Sequence, residues 1–271
     1  MHLASTLWPD YRLARETVRA ISTIAKIGGG VLVTASASAL FDETAARARA
    51  EGRLILTEEE SKSILQEQGI QVTMPTLASS ADEAASAAEN IGYPVVMKVS
   101  SREITHKSDV GGVKLGIADA DAARAAYDEI VASAKAAEPS AAIDGVTVQS
   151  QAPGGGVEVI VGMTRDHQFG PVIMFGLGGI AVEVLQDVAF RIAPLTKRDA
   201  GAIVREIKGY PLLTGHRATQ AVDLEALEGV IGAVSAFVSE TSGVAEMDLN
   251  PVLAYADGTI AVDARIVLTA D

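Results

Sequence analysis

The sequence predicts an α+β fold, and three features carry that prediction. Strand-like and helix-like segments are mixed without the strict strand–helix repeat of a doubly wound parallel sheet. Two pairs of strand-like segments are joined by short polar turns, which makes them antiparallel hairpins. Several helical segments open on Ser, Thr or Asp caps, so helices and strands can be told apart along the chain.

Residues 1–52 are the least patterned part. Asp10 to Lys26 puts Leu13, Val18, Ile21 and Ala25 roughly on one side and runs into three glycines at 28–30, so a helix with a glycine stop is expected. VLVTASASALF (31–41) is rich in Ala and Ser and fits either state. The region reads as an N-terminal extension, a small separate element or a tail.

From Thr57 the signals sharpen. TEEESKSILQEQG (57–69) has Thr57 and Glu60 at capping-box spacing and ends in Gly69. SADEAASAAENIG (80–92) repeats that grammar with Ser80, Glu83 and Gly92. PVVMKVS (94–100) is a strand, VKLGI (113–117) a second, and 118–137 a helix. GVTVQSQ (145–151) is a strand that runs into PGGG. VEVIVGMTRDHQFGPVIMFG (157–176) is a hairpin with a polar loop at Arg165 to Gly170. GLGGIAVE (176–183) is a glycine loop leaving a strand. Thr196 and Asp223 cap two further helices, over TKRDAGAIVREIKG and DLEALEGVIGAVSAFVSE.

AEMDLNPVLAYADGTIAVDARI (245–266) closes the chain as a hairpin. With Asp257-Gly258 as a two-residue turn, Ala256 opposes Thr259 and Val252 opposes Asp263. Alternation then puts Asp248, Asn250, Val252 and Asp263 on one face, with Asn250 and Asp263 as diagonal neighbours. Pro251 interrupts the ladder between them. A carboxylate and an amide oxygen so placed suit one hard cation; a polar outer face explains the same residues without a metal.

Composition narrows the function classes. A formal charge of −13, from 22 basic and 35 acidic residues, argues against general binding to nucleic acid or an anionic membrane. The absence of cysteine excludes disulfides, thiolate metal sites and a cysteine nucleophile, and fits a cytoplasmic protein. The longest uncharged stretches, near Ile27 to Phe41 and Phe169 to Val182, fall short of the roughly 18 residues a membrane span requires. Met1 to Arg12 lacks the basic start and apolar run of a secretory signal.

The stretch ITHKSDVGGVKLG (104–116) concentrates chemistry. Just before it, Lys98 sits inside a buried strand, where its ammonium either snorkels from an edge strand or holds a phosphate. His106 stands on a loop of small and polar residues; an imidazole there can act as base, metal ligand or phosphoryl carrier. Gly111 and Gly112 either offer backbone N–H groups to an anion or make an ordinary tight turn. Neither a Walker loop nor a Rossmann GxGxxG is present, since GLGGIA (176–181) lacks the third glycine. His167 reads as a solvated loop residue, and His2 and His216 beside Arg217 carry weaker signals.

Taken in order, Lys98 in its strand, the HKSDVGGV loop, VEVIVG, GLGG and MDLNPVL…VDARI resemble an ATP-grasp domain. The nearest likeness is to the nucleotide-binding part of the NDP-forming acyl-CoA synthetases, the group of the ADP-forming acetate–CoA ligases, related to the β subunit of succinyl-CoA synthetase. The resemblance covers about Arg53 to Leu268. It implies two α+β lobes clasping a nucleotide, over 53–150 with the histidine loop and 151–271 with the metal-binding hairpin. It implies ATP or ADP with Mg2+ as cofactors. Lys98 would contact the nucleotide phosphates, Gln149 would form the hinge beside adenine, and Glu158 would stand near the nucleotide. Asn250 and Asp263 would hold magnesium, with Asp248 in support, and Gly111 and Gly112 would belong to a mobile phosphate loop. His106 would relay a phosphoryl group between the nucleotide and a phosphohistidine on another domain. The reaction implied is acyl-CoA, phosphate and ADP giving carboxylic acid, CoA and ATP. No segment reads as a CoA-binding domain, so a CoA-binding α-type subunit or domain is expected as partner in a hetero-oligomer, with the acid and CoA bound there. The histidine loop speaks against a stand-alone ATP-grasp carboxylate–amine ligase; a non-catalytic ATP-sensing subunit is the other alternative.

Overall fold

A computed structural model describes residues 38–104, 107–179, 187–215 and 220–270. The helix expected over Asp10 to Lys26 and its glycine stop lie outside them. The described residues form two compact units, one over Thr73–Pro153 and one built from residues up to Val72 together with Gly154 onward. Residues 53–72 thus group with the C-terminal stretch and not with 73–150.

The smaller unit is a four-stranded sheet under two helices. Its strands are β1 (Thr76–Ala78), β2 (Val95–Ser100), β3 (Val113–Ile117) and β4 (Gly145–Ser150), in the order β1-β4-β2-β3 with every pair antiparallel. Helices α3 (Ala81–Ile91) and α4 (Ala120–Ala137) start on Ser80 and Asp119, whose side chains accept from the amides of Glu83 and Ala122. Their alanine faces (Ala84, Ala88, Ala123, Ala126) pack with Ile130 against Val95, Met97, Val99, Val146 and Val148. Small side chains let helix and sheet come close, which is how a chain with 4% aromatics fills this core.

The larger unit centres on a six-stranded sheet. Strands β5 (Val157–Asp166), β6 (Gly170–Leu177), β7 (Val188–Ile192), β8 (Val244–Tyr255) and β10 (Arg265–Leu268) run in the order β10-β8-β5-β6-β7, and β9 (Gly258–Ala261) also pairs with β8. The hairpin expected over 157–176 is β5–β6, closed at Asp166 and Gly170. Helices α5 (Lys197–Glu206), α6 (Tyr210–Leu213) and α7 (Leu224–Glu240) follow, with Thr196 and Asp223 as the expected caps. Arg165 at the end of β5 donates to the carbonyls of Val238, Thr241 and Val244, and so satisfies the C-terminal turn of α7.

Two N-terminal helices belong to this unit. Helix α1 (Ala39–Ala50) is capped by Ser38 and buries Phe41, Ala45 and Ala48 in the main core, where Phe41 meets Phe237 edge-on at 5.5 Å. Its residues are part of the core, neither a tail nor a separate element. Helix α2 (Glu58–Glu67) carries the full Thr57–Glu60 capping box and buries Ile64 and Leu65. The chain flanking α2 runs along the C-terminal strands: Ile55 bridges Val267, Leu56 donates to the Ile266 carbonyl at 3.0 Å, and Val72 bridges Ala261.

Candidate functional site

In the smaller unit, Lys98 lies on β2, between β4 and β3, and only 5% of it is exposed. β2 is an interior strand, so the edge-strand snorkelling reading does not apply. Val95, Met97 and Val99 point to the helices, so alternation puts Lys98 on the opposite face of the sheet. Gln149 of β4, wholly buried, pairs with Val96, one diagonal step from Lys98 and on the same face. A charged donor and an amide thus share the sheet face opposite α3 and α4.

The loop before β3 is a tight turn. Gly111 donates to the Ser108 carbonyl at 3.1 Å and Gly112 to the Lys107 carbonyl at 2.8 Å. Both amides are engaged inside the turn, so in this conformation the pair makes an ordinary tight turn and does not offer its N–H groups to an anion. The reason for glycine is steric: Gly111 has φ +65°, and a Cβ on Gly112 would come within 2.5 Å of Val99 Cγ1. His106 lies outside the described residues, as do His2, His216 and Arg217; His167 is exposed beside Asp166.

In the larger unit, Glu158 sits near the start of β5, exposed and facing Leu253 of β8. The glycine stretch after β6 lies against it. Gly178 donates to the Glu158 carbonyl at 2.8 Å, and a Cβ on Gly179, whose φ is +60°, would come within 2.8 Å of Glu158 Oε2. The two glycines let the backbone approach Glu158 closely; the rest of GLGGIAVE, from Ile180, is outside the described residues.

The closing hairpin differs from its expected register. Tyr255 pairs with Gly258, so the turn is Ala256-Asp257, and Val252 faces Ala261 instead of Asp263. Gly258, at φ +147°, takes the first strand position after the turn. Beyond a break at 262–264, β10 resumes with Arg265 opposite Asp248 in the same register. Interpolating between β9 and β10 brings Asp263 directly across from Asn250. The faces also change. The core-facing residues of β8 are Met247 and Leu249 before Asn250-Pro251, but Val252 and Ala254 after it. The pairing with β5 shifts by one residue at the same place. Pro251 has no N–H to give to a ladder, which is why the irregularity falls there. Val252 is therefore in the core and does not share the polar face.

Asp248 stands opposite Gly162, on the sheet face turned away from the main core. Its Oδ1 is shut off from solvent and has no hydrogen-bond partner. Burial pushes its carboxyl up to about 6; the Asp263 carboxylate adds to the rise, and Arg265 opposes it. Two mutually repelling carboxylates, one with an enclosed oxygen lacking a donor, and the Asn250 amide across from Asp263 form a set of hard oxygen donors. That set fits a divalent cation. Among the described residues no group of three or more His, Cys, Asp or Glu is placed to hold a metal, so the amide is needed beside the two carboxylates.

The protein-family model of the ATP-grasp domain matches residues 47–268. The chain is 49% identical over 222 residues to the acetate–CoA ligase (ADP-forming) I subunit beta of Pyrococcus furiosus, covering 82% of this chain and 95% of that one. A solved structure of dinucleotide-forming acetyl-coenzyme A synthetase 1 from Ca. Korarchaeum cryptofilum, in complex with coenzyme A, Ca-AMPCP and HgCl+, superposes with a TM-score of 0.82 at 46% identity, covering 84% of this chain and 99% of that one. Another structure of that synthetase, with coenzyme A and Mg-AMPPCP and its phosphohistidine segment pointing towards the nucleotide-binding site, gives a TM-score of 0.74 at 43% identity over the same shares. With four-fifths of its length inside the family match, and near-complete coverage of these relatives, the chain belongs to the ATP-grasp family, in the branch formed by the β subunits of the ADP-forming acyl-CoA synthetases.

Proposed function

We propose that this chain is the nucleotide-binding half of an ADP-forming acyl-CoA synthetase, working with a CoA-binding partner chain or domain in a hetero-oligomer. Acyl-CoA, phosphate and ADP are interconverted with carboxylic acid, CoA and ATP. The observation that carries the reading is the hard-oxygen set of Asp248, Asn250 and Asp263, with its enclosed donor-less Oδ1.

Each residue then has a task. Asn250 and Asp263 hold Mg2+, with Asp248 beside them; bound there, the ion offsets charge on the nucleotide phosphates. Lys98 donates to those phosphates as a point charge, and burial strengthens that contact. Gln149, wholly buried in β4, borders the base. Glu158, backed by Gly178 and Gly179, sets the edge of the nucleotide site. His106 takes a phosphoryl group onto a ring nitrogen from a phosphohistidine of the partner, whose N–P bond breaks, and passes it to the terminal phosphate oxygen of ADP, giving ATP and free imidazole, with Lys107 near to offset the added charge. Support for the relay comes from the loop sequence and from the synthetase whose phosphohistidine segment points towards its nucleotide site.

The test is reconstitution. The purified chain, combined with a CoA-binding partner chain, should form ATP from acetyl-CoA, ADP and phosphate, and the chain alone should form none. His106→Asn should abolish turnover and leave MgADP binding intact. Full turnover by His106→Asn would remove the relay, and turnover by the single chain would remove the partner.

A further inference from the structure

Lys62 is wholly buried. It lies on α2, far in sequence from every residue of the site. Its Nζ donates to Glu58 Oε1 at 2.7 Å, one helical turn back, and to the Val262 carbonyl at 2.7 Å. The Glu58 side chain is buried too, at 8% exposure. Enclosing an ion pair costs desolvation that its attraction seldom more than balances, and apolar residues of similar size often serve stability as well. The pair therefore calls for an explanation beyond packing.

The explanation lies in the ladder. Val262 donates to the Pro251 carbonyl at 3.0 Å. In an antiparallel pair of this kind the two residues exchange both N–H···O bonds. Proline has no N–H, so the return bond from residue 251 to the Val262 carbonyl is not available. Lys62 Nζ brings a donor to that carbonyl from outside the sheet. The next residue is Asp263, whose Oδ1 accepts from the Ala264 amide at 2.8 Å, and the residue before Pro251 is Asn250. On either side of this point the same N-terminal segment is fastened to the strand. Ala261 donates to Gln71 at 2.8 Å, and Leu268 donates to Leu54 at 2.7 Å.

We infer that Lys62 is a positioning residue for the cation site: its ammonium replaces the ladder donor that Pro251 lacks, and so fixes the 262–264 turn with Asp263 facing Asn250. The inference rests on the reading of Asn250 and Asp263 as cation ligands. It also gives the 54–72 segment a task, as a strap that holds the ligand-bearing turn in register.

The test uses the full chain and Mn2+ with ADP, counting unbound ion by its paramagnetic resonance signal. Glu58→Gln with Lys62→Met removes both charges, keeps the volume, and leaves no ammonium for Val262. The expected result is a loss of about tenfold or more in Mn2+ affinity, the scale on which outer partners of metal ligands act, with the urea midpoint close to that of the parent. Unchanged Mn2+ affinity in the double variant overturns the inference. Glu58→Gln alone removes the charge that aims the ammonium, and a smaller loss in the same direction is expected. Should the double variant not fold, an unshifted affinity in Glu58→Gln overturns the inference equally. Asp263→Ala is measured in parallel. Unaltered Mn2+ binding there sinks the cation site itself, and the role of Lys62 with it. A large loss there, together with none in the Lys62 variants, sinks the positioning role alone.

Discussion

Gly112→Ala separates packing from anion binding in the histidine loop. An added Cβ would lie 2.5 Å from Val99 Cγ1 and 2.8 Å from the Lys107 carbonyl oxygen. Carbon contacts settle near 3.5–4.0 Å, so the overlap with Val99 is about 1 Å. Neither neighbour can withdraw freely. Val99 is wholly buried and its amide donates to the Gly112 carbonyl at 2.7 Å, while the Lys107 carbonyl accepts from Gly112 itself. An overpacked site of this kind costs about 1–3 kcal/mol. Gly229→Ala is the control of opposite sign: it is exposed on α7, has open space at its Cβ, and should gain up to about 1 kcal/mol from helix propensity. Urea unfolding followed by circular dichroism reads both changes. A Gly112→Ala chain as stable as the parent, but unable to bind MgADP, would refute the steric account and restore Gly112 as a phosphate-binding residue.

Two further expectations follow from buried charges. The Asp248 carboxyl is raised above its unfolded value, so in metal-free chain its contribution to stability is complete below about pH 3.8 and is lost as pH rises through about 6. Asp248→Asn should flatten that part of the pH–stability curve, and an unchanged curve in the variant would show that Asp248 is not the group responsible. Arg165→Ala strips a donor from three carbonyls at the end of α7 and should cost at least about 2 kcal/mol in urea unfolding.

Much of the fold was legible because local chemistry agreed with the tertiary result. Thr57, Ser80, Thr196 and Asp223 each cap the helix expected of them, and the β5–β6 hairpin closes at its polar loop. Where long-range contacts decide, local pattern failed. Helix α1 is rich in alanine, which gives little amphipathic contrast, and it is stabilised by Phe41 against Phe237. β7 went unread, although VAFRI is a short run of strand formers. In the last hairpin, Ala256-Asp257-Gly258 admits two turn frames, and only the pairing of Val252 with Ala261 chooses between them. That choice moved Asp263 from a diagonal to a direct neighbour of Asn250. Asp248 was visible as an acidic residue on the right strand, but its enclosed oxygen depends on burial that no local window contains. Lys62 was hidden more completely. Four residues after Glu58, it has the spacing of an ordinary exposed helix pair, and only the fold reveals the carbonyl that it meets.

The proposed function requires the C-terminal hairpin to bind a divalent cation together with the nucleotide. Thermal unfolding of the chain with ADP, with and without Mg2+, tests it most directly, using the parent and Asp263→Ala. Ligand at about 100 times its Kd adds roughly 2.7 kcal/mol to the folded state. The expected result is a rise in the parent that requires Mg2+ and is largely lost in Asp263→Ala. An equal rise in both chains, or one independent of Mg2+, would contradict it.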